Sequence, residues 1–255
     1  MPRLRDPVVS LGTTPYKPLG VAPYKRVRDG VGMISEAATK STYAEARQNM
    51  VDNQLRANTV THEALLAAMG RLPRDRFVPE ALAGIAYVDE DLAIGGSRFL
   101  AEPMVLTRLI QAAGVKPGDK VLDMGCATGY STAVLASLGA QVVALECDPR
   151  LADRARVNLT ALGISGANVV TGDLAAGYPA GAPYDVILIA GRIGRLPQVL
   201  LGQLAPGGRF VAVMAEHGRV GQAVIVHQGS ASRVPLFDAA TPPMPGFAAA
   251  PGFVF

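Results

Sequence analysis

The sequence predicts an α/β fold: a mostly parallel sheet with helices on both faces and a small helical cap ahead of it. Three observations carry that prediction. From residue 120 onward, short apolar runs alternate with segments of helical periodicity, the pattern of strands joined by crossover helices. Residues 184–190 (YDVILIA) read as a strand apolar enough to be buried on both faces. Residues 120–149 read as strand, glycine turn, helix and strand, closed by an acid.

Taken in order, residues 1–40 hold Pro, Gly and basic residues without periodicity, and are expected to be disordered or an over-long extension. Residues 41–102 are expected to form the helical cap and a substrate loop. Tyr43, Ala46, Met50 and Leu55 recur at helical spacing. Thr61 stands where it could cap a second helix, 62–70, with Glu63 in its first turn. Residues 72–79 are a proline-bounded turn, 81–86 a short helix, and 89–100 a loop centred on Gly95 and Gly96.

Residues 103–255 are expected to form the ligand-binding domain. Pro103 opens an apolar helix to Ala113 that should pack flat on the sheet. Val121 and Leu122 begin the first sheet strand, and helical periodicity starts at Tyr130. Residues 141–145 are the second strand and 149–162 a helix ended by Gly163. Residues 168–171 and 184–190 are the third and fourth strands. A helix over 196–204 and a turn at Pro206, Gly207 and Gly208 lead into a fifth, 209–214. Residues 222–227 and 234–237 flank Gly229, a hairpin signal. The tail from Thr241 is rich in Pro and Ala and ends Phe253, Val254, Phe255, as an edge strand or a loose end.

Composition narrows the function classes. Hydrophobic residues make up 49% of the 255 and charged residues 18%, which supports a sizeable core and excludes global disorder. Net charge is +3, with Arg3, Arg5, Lys17, Lys25, Arg26 and Arg28 crowding the start. No basic stripe interleaved with aromatics points to nucleic acid. Two cysteines, Cys126 and Cys147, are too few for a disulfide framework. No apolar run reaches about 18 residues and no secretory signal is seen, so the chain is expected to be cytoplasmic, away from membranes. His62, His217 and His227 lack metal-ligand spacing, so no metal is predicted; neither is a G-x-S-x-G elbow.

The chemistry concentrates between Asp123 and Glu146. Gly125 and Gly129 let the backbone turn sharply and approach a ligand. In open α/β sheets ligands bind outside the carboxyl ends of the strands, so both acids should face one crevice. A phosphate-cradling loop would need a Lys after Gly129, and Tyr130 stands there. A dinucleotide fingerprint read from Gly125 would put Ala127 and Tyr130 at its later glycines, with Asp123 near a pyrophosphate. S-adenosylmethionine has no phosphate and two cationic groups, which an acid at a strand end suits. Its ribose diol wants a carboxylate about 20 residues further on, where Glu146 lies. Asp173, after the third strand, can accept from the adenine amine, with Leu174 beside the ring. The bland alternatives are a generic glycine turn with a solvated Glu146, and a turn-capping Asp173. The residues expected at the cofactor are Asp123, Gly125, Cys126, Ala127, Gly129, Tyr130, Glu146, Cys147, Asp173 and Leu174.

The acid-x-Gly-x-x-x-Gly turn with its distal acid resembles the Rossmann-like class I methyltransferases. Further blocks resemble the protein-L-isoaspartate (D-aspartate) O-methyltransferases: MVDNQLRANTV (50–60), LPRDRFVPE (72–80), AYVDEDLAIG (86–95), VLDMGCATGYSTAVLA (121–136), PYDVILIA (183–190) and LPQVLLGQLAPGGRFVAV (196–213). The resemblance implies methyl transfer from S-adenosylmethionine to the side-chain carboxyl of L-isoaspartyl residues in damaged proteins, so a protein or peptide substrate. One loop departs from the family's Gly-Gln-Thr-Ile-Ser-[Gln/Ala]-Pro. Its active-site Ser is Ala101 here, its Thr is Phe99 and its Gln is Arg98. Arg98 could serve an acidic acceptor by a charge-assisted bond, with Glu102 opposing it, or simply pair with Glu102. The rebuilt loop leaves two alternatives: a different acceptor, or a cofactor-binding module without isoaspartyl turnover.

Overall fold

The computed structural model describes residues 36–215, 220–230 and 232–247. Residues 1–35, His217 and Phe253 to Phe255 lie outside the described residues. The cap opens with α1 (Glu36–Asn49), which starts ahead of the expected Tyr43 periodicity and runs into a π turn, Met50–Leu55. Met50 and Leu55 are fully buried there. Helix α2 (Glu63–Arg71) is capped by His62, whose Nδ1 accepts from the Leu65 N–H at 3.1 Å. Thr61 does not cap it, because the helix begins at Glu63 and His62 holds the N-cap position; the Thr61 N–H donates to Gln111 Oε1 at 2.8 Å.

The expected glycine loop is a small hairpin, β1 (Leu92–Gly95) and β2 (Arg98–Leu100), turned by Gly95, Gly96 and a left-handed Ser97. Alternate burial explains why period-two pairing won: Leu92, Ile94, Arg98 and Leu100 face inward. Helix α3 (Pro103–Ala113) then packs its apolar face on the sheet.

The main sheet comprises β3 (Lys120–Met124), β4 (Gln141–Glu146), β5 (Ala167–Thr171), β6 (Tyr184–Ile193), β7 (Leu204–Met214), β8 (Gln222–His227) and β9 (Arg233–Asp238). Its order is β5-β4-β3-β6-β7-β8-β9, parallel through β7 and antiparallel beyond. Helices α4 (Tyr130–Ser137) and α5 (Pro149–Ala161) cross over between β3, β4 and β5. The 196–204 helix is only one turn, α6 (Gln198–Leu201), bounded by Pro197 and Gly202. The turn at Pro206 to Gly208 is an irregularity inside β7.

Side-chain alternation gives the sheet two cores. Val121, Val186, Leu188, Val211 and Val213 face the cap and α3. Leu122, Met124, Ile187, Ile189 and Phe210 face Leu174, Leu200, Met244 and Phe247. Strand order reverses between β3 and β6, so a crevice opens outside their carboxyl ends. The tail runs across this crevice: Pro243 bridges Arg192 in parallel, and the Met244 N–H donates to Arg192 O at 2.8 Å.

Candidate active site

Strand β3 delivers Asp123 and the glycine turn to the crevice, and β4 delivers Glu146. The turn hangs on the neighbouring strand, where the Gly125 N–H donates to Leu145 O at 2.7 Å. Gly125 and Gly129 have φ of +68° and +94°. Gly129 also lets α5 approach, since a Cβ there would lie 3.1 Å from that of Ala155. Ala127 is left-handed too, at φ 54°, without a glycine's freedom. Cys126 is buried under α5 with Ala144 and Ala155, and burial pushes its thiol well above its usual range.

Asp123 is 1% exposed and faces the first turn of α4. Its Oδ2 accepts from the Ser131 and Thr132 hydroxyls at 2.7 and 2.6 Å. Its Oδ1 has no hydrogen-bond partner among the described residues. Burial pushes this carboxyl up to about 6, and the nearby Glu146 charge adds to it; the two hydroxyls and Arg98 pull the other way. Tyr130 turns its ring away from the crevice, into the cap, edge-on to Phe77 and under the Arg74 guanidinium.

Glu146 is fully buried and fully engaged. Oε1 accepts from the Cys147 and Asp148 N–H groups at 2.9 and 3.1 Å. Oε2 accepts from the Ala127 N–H at 2.8 Å and from Arg98 Nη2 at 3.1 Å. Arg98 therefore does not pair with Glu102; it reaches inward from β2 and is itself 5% exposed. The same Nη2 donates to Gly125 O at 2.6 Å, and Nη1 lies 2.8 Å from Met244 Sδ. Cys147 is exposed at the rim. Asp173 caps a short turn through the Ala175 N–H at 2.9 Å while staying exposed, and Leu174 is buried beneath it. The bland reading of Asp173 as a turn cap thus describes one of its oxygens.

On the other side of Arg98 the cleft is lined by Asp91, Phe99, Ala101, Gly191 and Met244. Phe99 is partly exposed and Ala101 buried. Burial pushes Asp91 up to about 6 and Glu102 to about 7; their neighbours Asp89 and Glu90 add to both shifts. Asp91 and Asp89 also accept the N–H groups of Glu102 and Met104, which fixes the start of α3.

Two residues here escape sequence reasoning. Arg74 is fully buried; its Nε donates to Ala86 O and its Nη2 to Ala101 O, each at 2.7 Å, so it ties the cap to the loop. Its only signal was a short charged run, Arg74, Asp75 and Arg76, between Pro73 and Phe77. Met244 gave none, standing in a proline-rich tail. Among the described residues no cluster could hold a metal ion.

The donor set suits S-adenosylmethionine: two buried acids, one with an orphaned oxygen, around a glycine floor that a Cβ would fill. Arg98 and Met244 stand in the same space. The family model for protein-L-isoaspartate(D-aspartate) O-methyltransferase matches residues 45–234. A protein-L-isoaspartate O-methyltransferase of Methanoculleus marisnigri is 42% identical over 166 residues, 65% of this chain and 76% of that one. The Methylorubrum extorquens enzyme of the same name is 42% identical over 175 residues, 69% and 76% of the two chains. A Plasmodium falciparum structure described as a beta-aspartate methyltransferase in complex with S-adenosyl-L-homocysteine superposes with a TM-score of 0.67 at 18% identity, covering 77% of this chain and 97% of that one.

Proposed function

The chain belongs to the protein-L-isoaspartate(D-aspartate) O-methyltransferase family, and from that premise we propose that it methylates the side-chain carboxyl of L-isoaspartyl residues in damaged proteins. The observation that carries the reading is the pair of buried acids, Asp123 and Glu146, at the ends of adjacent parallel strands around one glycine turn. S-adenosylmethionine, the cofactor of this family, supplies a methyl group on a sulfonium centre.

The chain's residues do the binding and placing. Glu146 accepts the ribose diol, and Asp173 receives the adenine amine beside Leu174. Gly125, Cys126 and Ala127 give the ligand a backbone floor, Gly129 and Tyr130 start the helix behind it, and Cys147 forms its rim. Asp123 holds that helix through Ser131 and Thr132, keeping its second oxygen for the cationic end. The acceptor is a carboxylate with a pKa of about 4, already ionised at neutral pH, so no general base is needed. In-line placement and exclusion of water are what remain for the protein to supply. Ala101 and Arg98 stand at the acceptor side, with Arg98 the cation of that lining. A repair role fits a cytoplasmic location; among the described residues no helix is long and apolar enough to cross a membrane.

A second reading keeps the scaffold and changes the acceptor. Phe99 and Ala101 replace two hydroxyl-bearing residues of the family's loop, and acids flank the opening. The deciding assay is labelled-methyl transfer to an isoaspartyl peptide beside its aspartyl twin. Label in the isoaspartyl peptide alone supports repair methylation; label in neither transfers the case to another acceptor.

A further inference from the structure

The ion pair at the centre of the cleft lies where the cofactor must bind. On Glu146, Oε1 takes the Cys147 and Asp148 N–H groups with the Cys147 thiol 3.3 Å away, and the two lone-pair positions of Oε2 are taken by the Ala127 N–H and Arg98. Three of those donors are backbone N–H groups of the loops that build the site. On Oε2 the donor that can leave is Arg98, carried on a long side chain. A ribose diol reaches Oε2 of Glu146 only by taking that place.

Met244 blocks the neighbouring space. A Cβ built on Gly125 would lie 2.6 Å from Met244 Sδ, and one on Gly191 would lie 2.9 Å from its Cε. The backbone gap that the two glycines leave for a ligand is thus filled by a side chain of this protein. The segment carrying it is held to the end of β6: the Arg192 N–H donates to Pro242 O and the Gly194 N–H to Phe247 O, each at 2.9 Å. What stays open between Arg98, Met244 and Ala101 is a cavity of about 20 Å³, room for about one water. A small-molecule site is larger by more than tenfold, at roughly 300 Å³ or above.

We propose that Arg98 and Met244 form an internal latch that competes with the cofactor, Arg98 for Glu146 and Met244 for the floor over Gly125. Resting on the cofactor assignment above, the latch makes two segments move before the cofactor enters: the tip of the β1–β2 hairpin and the strap 242–247. Both belong to the acceptor side of the cleft, so cofactor entry and acceptor access are opened by one displacement. The Arg98–Met244 contact, Nη1 to Sδ, couples the two segments, so releasing either loosens the other. The observed affinity is the intrinsic one reduced by the open fraction; a latch closed nine times in ten weakens binding about tenfold.

The test is calorimetric titration of the full chain with S-adenosylhomocysteine. Arg98→Gln, which removes the cation, is expected to tighten binding about tenfold, and Met244→Ala at least about threefold. Arg98→Lys keeps a cation facing Glu146 but gives up the Nη1–Sδ contact with Met244, and is expected to fall between the unmodified chain and Arg98→Gln, about threefold tighter than the former. Melting curves establish that each variant is folded, and Met244→Ala tests the latch even if Arg98→Gln is not. Hydrogen exchange supplies the second readout: S-adenosylhomocysteine is expected to speed exchange at Phe99 and Leu100 and in the strap of the unmodified chain. Equal, measurable affinity in all four proteins overturns the latch and leaves the cofactor assignment standing. Failure of every protein to bind overturns both.

Discussion

Replacing Asp123 by asparagine removes a charge that the fold holds against solvation. The carboxyl is 1% exposed and moves from an ordinary 3.8 up to about 6. A raised folded-state value means that the native protein holds its proton more tightly than the unfolded chain does. The favourable balance is therefore complete below about pH 4 and is lost as pH rises through about 6. The interval between 3.8 and about 6 corresponds to about 3 kcal/mol. Asparagine keeps an oxygen for Ser131 and Thr132 and cannot ionise. The stability of Asp123→Asn minus that of the unmodified chain should thus grow by about 2.5 kcal/mol between pH 4 and pH 8, since part of the change falls below pH 4. Asp91 and Glu102 are also pushed up, but they are present in both proteins and drop out of the difference. Urea unfolding at the two pH values measures it directly. A difference that stays the same at both, within about 0.5 kcal/mol, would refute the reasoning and mean that Arg98 compensates the charge in full.

Arg74→Ala should cost about 3–5 kcal/mol in urea unfolding, since it removes two buried charge-assisted bonds and a packed side chain; a loss under about 1 kcal/mol would deny Arg74 its role as a tie. Ala127→Gly should stabilise by about 1 kcal/mol by relieving a left-handed alanine, read as a raised melting temperature, and a fall would show that the strain is absent. In an Arg98→Gln background, Glu146→Ala should weaken S-adenosylhomocysteine by roughly 1.5–3 kcal/mol; unchanged calorimetric affinity would take Glu146 out of the site. Ala101→Ser alone should change turnover of an isoaspartyl peptide by less than about threefold, because Phe99 and Arg98 still shape the loop, and a rise of tenfold or more, about 1.4 kcal/mol, would make the single hydroxyl decisive.

How much of this was legible in the sequence follows from which interactions are local. The order of strands and helices, the glycine turn and the acid closing β4 were readable because each depends on neighbours within a few residues. Period-two and period-3.6 burial, proline at helix starts and glycine at left-handed positions are written in the chain itself. Errors fell where a distant partner decided. Thr61 had the chemistry of a cap, but the helix starts one residue later and His62 at the N-cap accepts from Leu65, while Gln111, some 50 positions away, holds both N–H groups of the entry. The hairpin at Leu92–Gly95 looked like a loop because its pairing strand is only three residues long.

The sequence alone determined the family, the cofactor and the set of residues with suitable chemistry. It also showed that the loop at Arg98, Phe99 and Ala101 departs from its relatives. It could not say which way Arg98 points. Arg98 and Glu146 are 48 positions apart, and Arg98 and Met244 are 146 apart. No local rule of propensity or periodicity spans such distances. The β1–β2 hairpin folding over the sheet brings Arg98 to Glu146, and the tail closing over the ends of β3 and β6 adds Met244. A buried carboxylate then takes the nearest cation, because leaving either charge unpaired there would cost more than the pairing restrains.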